Sequence, residues 1–339
     1  MTDPAATAVP IGGGAIADRV RSALEARAFR IVYQPIVDLA DGVVVSVEAL
    51  SRFTAEPYGP PDAWFADAWQ VGMGAELELA AFEAALANLH HIPEGCRVAI
   101  NLSPPVIAHP DLLGYVADAG PTRVVIELTE HVAVHDYDRV RSAVASLRGR
   151  GAKLAVDDMG AGFASFRHIV KLAPDIIKLD RELVSGIDAD PVRRSVATAM
   201  VNFASDVGSD IVAEGIETRG ELEAVRALGI RYGQGMLLGA PGPAESLSKS
   251  LATPISDSLR DPLPQPLPVA PRPRPAAARD HLATTADALA QLAEAAGRGD
   301  LSAEPTELAT LDQAVAAIAR IAARHDAAEP VAAPGAPWA

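Results

Sequence analysis

Residues 153–158 read KLAVDD, an apolar run that ends in two adjacent acids, Asp157 and Asp158. A strand that is buried on both faces is almost entirely apolar, and its charged residues appear where it emerges from the core. Three other runs have the same form: VVVSVEAL at 43–50, RVVIELTE at 123–130 and DIVAEGIE at 210–217. The pattern predicts several buried strands that carry acids at one end.

The strand pattern continues along most of the chain. Two further runs end in other polar groups, Asn101 in RVAINLS and Lys178 in DIIKLD. We predict eight strands, at 31–39, 43–50, 97–102, 123–128, 153–157, 175–179, 210–214 and 230–234. Helical patterns fall at Ala63–Leu89, Pro105–Ala119, Tyr137–Arg150, Ser165–Leu172, Val192–Val207, Arg219–Leu228 and Pro243–Leu251.

The order of these elements predicts an α/β fold, a modified TIM (β/α)₈ barrel. A short Asp41-Gly42 turn joins the first two strands and indicates that the first strand is antiparallel. The later alternation of strand and helix indicates parallel strands with right-handed crossovers. A doubly wound sheet would collect its site at one switch point, from fewer strands. Polar groups at the ends of most strands therefore favour the barrel.

Composition limits the classes of partner. The net charge of −15 argues against binding of polymeric nucleic acid or an anionic membrane surface, because both require basic patches. The single cysteine, Cys96, excludes an internal disulfide and indicates a reducing compartment. No signal peptide is evident, and no apolar run reaches the roughly 18 residues that a membrane span needs. We expect a soluble, cytoplasmic protein.

Changes in composition predict the domain organisation. Residues 1–24 are rich in Ala, Gly and Pro and predict a flexible segment, and the barrel is predicted over 25–250. A proline-rich linker, which includes PLPQPLPVAPRPRPAAA, is predicted over 251–278. Ala-rich helical patterns over 279–326 predict a helical hairpin or a self-association segment, with a loosely folded tail as the alternative. Disorder is predicted for 327–339.

The acids at the strand ends predict a metal site. Two carboxylates about 4 Å apart repel by roughly 4 kcal/mol at an effective dielectric constant near 20. Repulsion among six converging acids would be several times larger, and divalent cations would remove it. All-oxygen ligation selects Mg²⁺ or Mn²⁺ rather than Zn²⁺. The six acids are Glu48, Glu127, Asp157, Asp158, Glu214 and Glu217.

The adjacent acids and a lysine suggest the type of reaction. The Asp157-Asp158 pair could let one carboxylate bridge two ions, and a two-metal centre suits in-line attack on a phosphodiester. Lys178 follows one βα unit later, where its ammonium group could orient the attacking water. Gly160-Ala161-Gly162 gives a flexible loop that can approach a ligand closely.

The motifs together resemble a known family. Glu48-Ala49-Leu50-Ser51-Arg52 resembles the signature that names the EAL domain family of cyclic di-GMP phosphodiesterases, and the resemblance covers about residues 25–243. The rest of the family pattern is present in order: Gln34-Pro35, Asn101-Leu102-Ser103, Glu127-Leu128-Thr129-Glu130, Asp157-Asp158-Met159-Gly160-Ala161-Gly162, Ile177-Lys178-Leu179-Asp180, Ala213-Glu214-Gly215-Ile216-Glu217 and Gln234-Gly235.

The resemblance implies a modified TIM barrel that hydrolyses cyclic di-GMP to linear pGpG with a water activated by two ions of Mg²⁺ or Mn²⁺. By motif, the ligands of the first ion are Glu48, Asn101, Glu127 and Asp157, and Asp157 with Asp158 serves the second. The catalytic set is Lys178, which contacts the nucleophilic water, Glu214, the candidate base or outer metal partner, and Glu217 in support. The substrate contacts are Gln34, Arg52 and Gln234.

Two more family positions are expected to support the site. Glu130 resembles the acid that anchors the loop after Asp158, and Asp180 matches a motif position of less clear role; both have a purely structural alternative. Departures from the family pattern at Ser51, Met159 and Ala161 remove no ligand but bear on the stability of the loop.

Two alternatives to an active phosphodiesterase stay open. One is a catalytically weak or inactive EAL domain that acts as a cyclic di-GMP receptor or a protein-interaction module. The other is a different metal-dependent TIM-barrel hydrolase, since a fold alone does not determine function. By analogy with the family, a homodimer is expected.

Overall fold

Eight strands hydrogen-bond in chain order and close into a barrel in this computed structural model, which describes residues 12–56, 58–129, 134, 136–159, 168–169 and 171–246. The strands are β1 (Phe29–Asp38), β2 (Val44–Phe53), β3 (Arg97–Leu102), β4 (Val124–Leu128), β5 (Lys153–Met159), β6 (Ile176–Leu179), β7 (Asp210–Ala213) and β8 (Tyr232–Gly233). β1 is antiparallel to both β2 and β8, and every other neighbouring pair is parallel. The predicted TIM-like barrel with an antiparallel first strand is confirmed.

Helices alternate with the strands around the barrel. Within the described ranges they are α1 (Gly12–Glu25), α2 (Pro61–Gln70), α3 (Gly74–Ala87), α4 (Pro104–Ile107), α5 (Leu112–Asp118), α6 (Tyr137–Arg148), α7 (Arg181–Val184), α8 (Pro191–Val207) and α9 (Arg219–Ala227), with 3₁₀ turns at Leu89–His91 and Pro121–Arg123. None of the described helices is both long and apolar enough to cross a membrane.

Local sequence explains where two predicted helices are interrupted. Between α2 and α3 the chain turns at Gly72, whose φ of 79° lies in the left-handed region that glycine tolerates. The predicted helix over Pro105–Ala119 forms as two short helices, α4 and α5. Pro110 disfavours helical geometry at His109, so α4 ends before it.

The N-terminal prediction needs a correction. Residues 12–24 were expected within a flexible segment, but Gly12–Glu25 form α1. Val20 and Ala23 are buried in a cluster with Trp64, and Ile16 packs against it. These apolar positions have helical spacing, which the surrounding Ala and Gly obscure in the sequence.

Several predictions fall outside the described residues. They concern the start of the N-terminal segment over 1–11, the glycine loop at 160–162, Glu130, the linker at 251–278, the helical segment at 279–326 and the tail at 327–339. They stay predictions.

The interior of the barrel contains two layers of side chains that follow from the two-residue repeat of a strand. The apolar floor is one buried cluster formed by Ile36, Ala99, Val125, Ala155, Ile176, Val212 and Tyr232. The polar layer lies two positions nearer the carboxyl ends of the parallel strands, and two positions before Ile36 in antiparallel β1. It consists of Gln34, Glu48, Asn101, Glu127, Asp157, Lys178, Glu214 and Gln234. Each barrel strand, or the residue directly after it, thus contributes one polar group.

Candidate metal centre and cleft

Lys178 lies at the centre of the polar layer, with a side chain that is only 1% exposed. Its Nζ lies 2.7 Å from Glu214 Oε1 and 3.0 Å from Glu127 Oε2. The same atom lies 3.3 Å from Asp157 Oδ1 and 3.5 Å from Glu48 Oε2. The barrel therefore brings four acids, three from strands β2, β4 and β5 and one from the residue directly after β7, to one ammonium group.

Side-chain amides hold Glu48 on both sides. Asn101 Nδ2 donates to Glu48 Oε1 at 2.9 Å, and Gln234 Nε2 donates to Glu48 Oε2 at 2.7 Å. Gln234 Nε2 also donates to Gln34 Oε1 at 3.1 Å, and Gln34 Nε2 donates to the carbonyl of Gly239 at 3.1 Å. Gln234 Oε1 is buried and accepts no hydrogen bond from the described residues. The orientation of Glu48 is thus set by the protein itself.

Three of these acids have the geometry of a metal-ligand set. Glu48, Glu127 and Asp157 each offer one carboxylate oxygen, and these oxygens all lie within 4.8 Å of one another. Four carboxylates and one ammonium leave a net charge of −3 (−4 + 1) when all are ionised. An oxygen-only donor set with excess negative charge fits a hard divalent cation such as Mg²⁺ or Mn²⁺.

Burial and charge act in opposite directions on these groups. Burial raises the pKa of Glu127 and of Glu214 well above the usual value, and the attraction of Lys178 only partly offsets it. Burial also disfavours the anion of Glu48, but Lys178, Gln234 and Asn101 together lower its pKa. Burial disfavours the charged form of Lys178, yet the surrounding carboxylates raise its pKa well above the usual value. Lys178 is therefore firmly cationic.

Glu217 does not belong to this cluster, which corrects the expectation of six converging acids. Its side chain is 43% exposed and pairs with Arg181 at 2.8 Å. Gly215, with a φ of 66°, turns the chain directly after Glu214, and Ile216 fills the core. The turn places Glu217 on the outside of the loop.

Of the remaining predicted residues, the structure describes Asp180 in full and Asp158 by its backbone. Asp180 accepts a hydrogen bond from the backbone N–H of Glu182 and caps α7, a helix that follows Lys178 by three residues. Asp158 lies in β5 directly beside Asp157, but its side chain, like Glu130, is outside the described residues. Asp180 thus has a structural role that the motif alone did not reveal.

A cleft of about 640 Å³ opens beside the polar layer. Its lining residues include Glu48, Asn101 and Asp157 of the polar layer and Phe65 and Trp69 of α2. Arg52 also lines the cleft, and its Nη1 donates to the carbonyl of Ser51 at 2.8 Å. This volume is within the range of sites that bind small organic ligands.

Glu78 on α3 is a cleft residue that the sequence did not reveal. Its side chain is buried and accepts hydrogen bonds from Trp69 Nε1 at 2.6 Å and from the backbone N–H of Ser103 at 2.8 Å. Burial raises the pKa of Glu78, although both hydrogen bonds favour the anion. An acid in a helical pattern normally indicates a solvated face, so no sequence signal marks this residue.

Glu221 is a second residue that sequence reasoning missed, although a signal was available. Thr218 and Glu221 form a capping box at the start of α9, in which each side chain accepts from the backbone N–H of the other. The Thr-x-x-Glu spacing before an amphipathic helix is typical of this motif.

The fold and site define a class: a closed (β/α) barrel with a candidate divalent-metal centre at the carboxyl ends of its strands. The family model described as EAL domain matches residues 17–241. The chain belongs to the EAL domain family.

Known relatives and structures agree with this assignment. The bifunctional diguanylate cyclase/cyclic di-GMP phosphodiesterase MucR of Pseudomonas aeruginosa is 30% identical over 245 residues, which cover 69% of this chain and 36% of MucR. A structure of the MucR phosphodiesterase in complex with c-di-GMP has a TM-score of 0.61 and 29% identity, covering 69% of this chain and 99% of that one. The manganese/cyclic di-GMP complex of Klebsiella pneumoniae BlrP1 has a TM-score of 0.57 and 34% identity, covering 63% of this chain and 56% of that one. The chain thus spans about a third of the length of MucR.

Proposed function

We propose that this domain hydrolyses cyclic di-GMP to linear pGpG with two ions of Mg²⁺ or Mn²⁺. The observation that supports this most strongly is the cluster of four acids around Lys178 at the edge of the cleft. The MucR and BlrP1 structures are described as cyclic di-GMP complexes, which supports the choice of substrate.

The polar layer supplies the ligands for the ions. Glu48, Asn101, Glu127 and Asp157 would hold the first ion, and Asp157 with Asp158 would hold the second. Once bound, such ions provide Lewis-acid activation of the phosphodiester and of the attacking water. The donor geometry of Glu48, Glu127 and Asp157 supports this assignment.

The side chains of the protein then position the reactants. The Lys178 ammonium would orient the attacking water and stabilise negative charge that develops on oxygen in the transition state. Glu214, whose Oε1 lies 2.7 Å from Lys178 Nζ, would accept the proton of that water. Glu217 would act through its ion pair with Arg181, which supports the loop that follows Glu214.

The substrate would lie in the cleft beside the cluster. The planar guanidinium of Arg52 matches the geometry of a phosphate group. Gln34 and Gln234, which are hydrogen-bonded to each other, would contact the dinucleotide and fix its position relative to Glu48. Such positioning of one ester bond before attack removes much of the entropic part of the barrier.

The test is incubation of the purified protein with cyclic di-GMP and Mn²⁺ or Mg²⁺, with pGpG measured by chromatography. We expect turnover by the wild type, none by Lys178→Ala, and wild-type turnover by the matched control Lys153→Ala, whose ammonium pairs with Asp175 at the other end of the barrel. Folded wild-type protein that forms no pGpG would contradict the proposal. Tight binding without turnover would favour the receptor alternative.

Two wider expectations belong to the same proposal. The single cysteine favours action in the cytoplasm, where thiols stay reduced. Homodimers are expected by analogy with the family, and light scattering of the eluted protein would give the mass. A monomeric mass at micromolar concentration would count against the dimer.

A further inference from the structure

The carboxylate of Glu221 ties together two connections at the carboxyl end of the barrel. It lies in the first turn of α9 and is 5% exposed. Glu221 Oε1 accepts from the backbone N–H of Gly186 at 2.9 Å. Glu221 Oε2 accepts from the backbone N–H groups of Glu217 and Thr218, each at 2.9 Å. One side chain thus satisfies three backbone donors from two separate segments.

These two segments follow the strands that carry the Lys178–Glu214 ion pair. β6 presents Lys178 and continues through α7 to the turn at Gly186. β7 ends before Glu214, and the chain continues through Glu217 and Thr218 into α9. Glu221 therefore links the segment after Lys178 to the segment after Glu214. The side chains of Lys178 and Glu214 themselves lie 2.7 Å apart.

Close packing between the same segments leaves little room for another arrangement. A Cβ atom on Gly215 would collide with the side chain of Arg181, and one on Gly220 would collide with the carboxylate of Asp188. On the opposite side, the N–H of Ile216 donates to the carbonyl of Gln234 at 3.0 Å. The loop after Glu214 is thus held on both sides.

We propose that Glu221 is a positioning residue that holds Glu214 against Lys178. Its effect on turnover rests on the proposed function, whereas its effect on the geometry of the ion pair does not. A carboxylate suits the task because both of its oxygens accept hydrogen bonds. A glutamine offers only one acceptor, and its amide N–H₂ would face a backbone donor.

The first test compares Glu221→Ala and Glu221→Gln with the matched control Glu223→Gln. Glu223 lies on the same helix, is 49% exposed, and pairs with Arg219 on the surface. At a temperature well below every melting point, we expect kcat of Glu221→Ala to fall roughly 10-fold or more, because small displacements of catalytic groups are costly. KM should stay within about twofold, since Glu221 does not line the cleft. The kcat of Glu221→Gln should lie between those of Glu221→Ala and the wild type, and the kcat of Glu223→Gln should match that of the wild type.

The second test does not depend on turnover. An amine-acylating reagent is applied to each folded variant, and mass spectrometry compares labelling of Lys178 with that of Lys153 in the same molecule. Acylation requires the neutral amine and access of the reagent to Nζ. We expect Glu221→Ala to raise the relative labelling of Lys178 about severalfold, because displacement of Glu214, which lies 2.7 Å from Nζ, opens that atom to solvent and to the reagent. Glu223→Gln should leave the labelling unchanged. If Glu221→Ala does not fold, the same measurement on Glu221→Gln decides.

The two tests separate the two proposals. Wild-type protein without turnover would overturn the proposed function, while the labelling of Lys178 would still decide the role of Glu221. Unchanged labelling of Lys178 in folded Glu221 variants would overturn the positioning role and leave Glu221 as a helix cap alone.

Discussion

The apolar floor and the polar layer lie on the same strands, only two residues apart, yet they contribute to stability in opposite ways. The seven side chains of the floor are at most 1% exposed, and their burial stabilises the barrel. In the polar layer, Lys178 and Glu127 are equally buried, but each charge there loses its hydration. The comparison teaches that the burial of apolar side chains, in the floor and in the rest of the core, provides the stability that lets like charges stay close together.

The largest effect is expected from removing the central cation. In metal-free buffer, Lys178→Met should reduce the free energy of unfolding by roughly 3–5 kcal/mol, because it leaves buried carboxylates without their partner. Denaturant unfolding measures this difference. Lys153→Met removes a partly exposed lysine at the opposite end of the barrel and should cost about 1 kcal/mol or less. Equal losses in the two variants would contradict the account.

A cavity in the apolar floor should have the next largest effect on stability. Ile176→Ala removes a fully buried side chain below Lys178 and should cost about 2–4 kcal/mol. Turnover per folded molecule should change little, because no polar group moves. Val192→Ala, at a position that is 59% exposed on α8, should cost less than about 0.5 kcal/mol. If Ile176→Ala lost turnover without losing stability, the assignment of stability to the apolar floor and of function to the polar layer would be contradicted.

Glu78 extends the comparison to a buried acid outside the barrel. Glu78→Gln should cost about 1–3 kcal/mol, because an amide accepts only one of the two hydrogen bonds from Trp69 and Ser103. Since burial raises the pKa of Glu78 in the folded state, its contribution to stability is complete at acid pH and is lost as pH rises through the raised value.

The pH dependence gives this prediction a direction. The stability difference between wild type and Glu78→Gln should be largest below the ordinary pKa of a glutamate and should shrink as pH rises. Glu76→Gln, at an exposed position on the same helix, is the matched control for the loss of a helix carboxylate. A difference that grows with pH would contradict the raised pKa.

The smallest effect is expected from removing one acid of the crowded set. Glu127→Gln leaves an oxygen to accept from Lys178 and relieves repulsion among the carboxylates. In metal-free buffer we expect a stability equal to that of the wild type or higher by about 1 kcal/mol. A loss of more than about 2 kcal/mol in the free energy of unfolding would show that Glu127 is needed for the fold rather than for binding a metal ion.

Much of the fold and part of the site could be predicted from the sequence. Buried parallel strands are nearly all apolar, so the acids that end them mark both the strands and the edge where they meet. The same logic predicts that Glu48, Glu127, Asp157 and Glu214 lie close together. It also predicted the antiparallel first strand from the Asp41-Gly42 turn.

The rest depends on features that a one-dimensional pattern does not contain. Glu217 follows Glu214 by three residues, but the turn at Gly215 sends the two side chains in different directions. Glu78 has the sequence environment of a solvated helix face and is buried only because α2 and the end of β3 pack over it. α1 was missed because its apolar stripe is diluted by Ala and Gly.

The most direct test of the central claim, that the polar layer is a divalent-metal centre, is the melting temperature of metal-free protein with and without saturating Mn²⁺. An ion at about 100 times its dissociation constant stabilises the folded state by about 2.7 kcal/mol. The wild type should therefore melt roughly 5 °C or more higher with Mn²⁺, and Asp157→Asn should lose most of this shift. A wild-type melting temperature that Mn²⁺ does not change, or an equal shift in Asp157→Asn, would contradict the account.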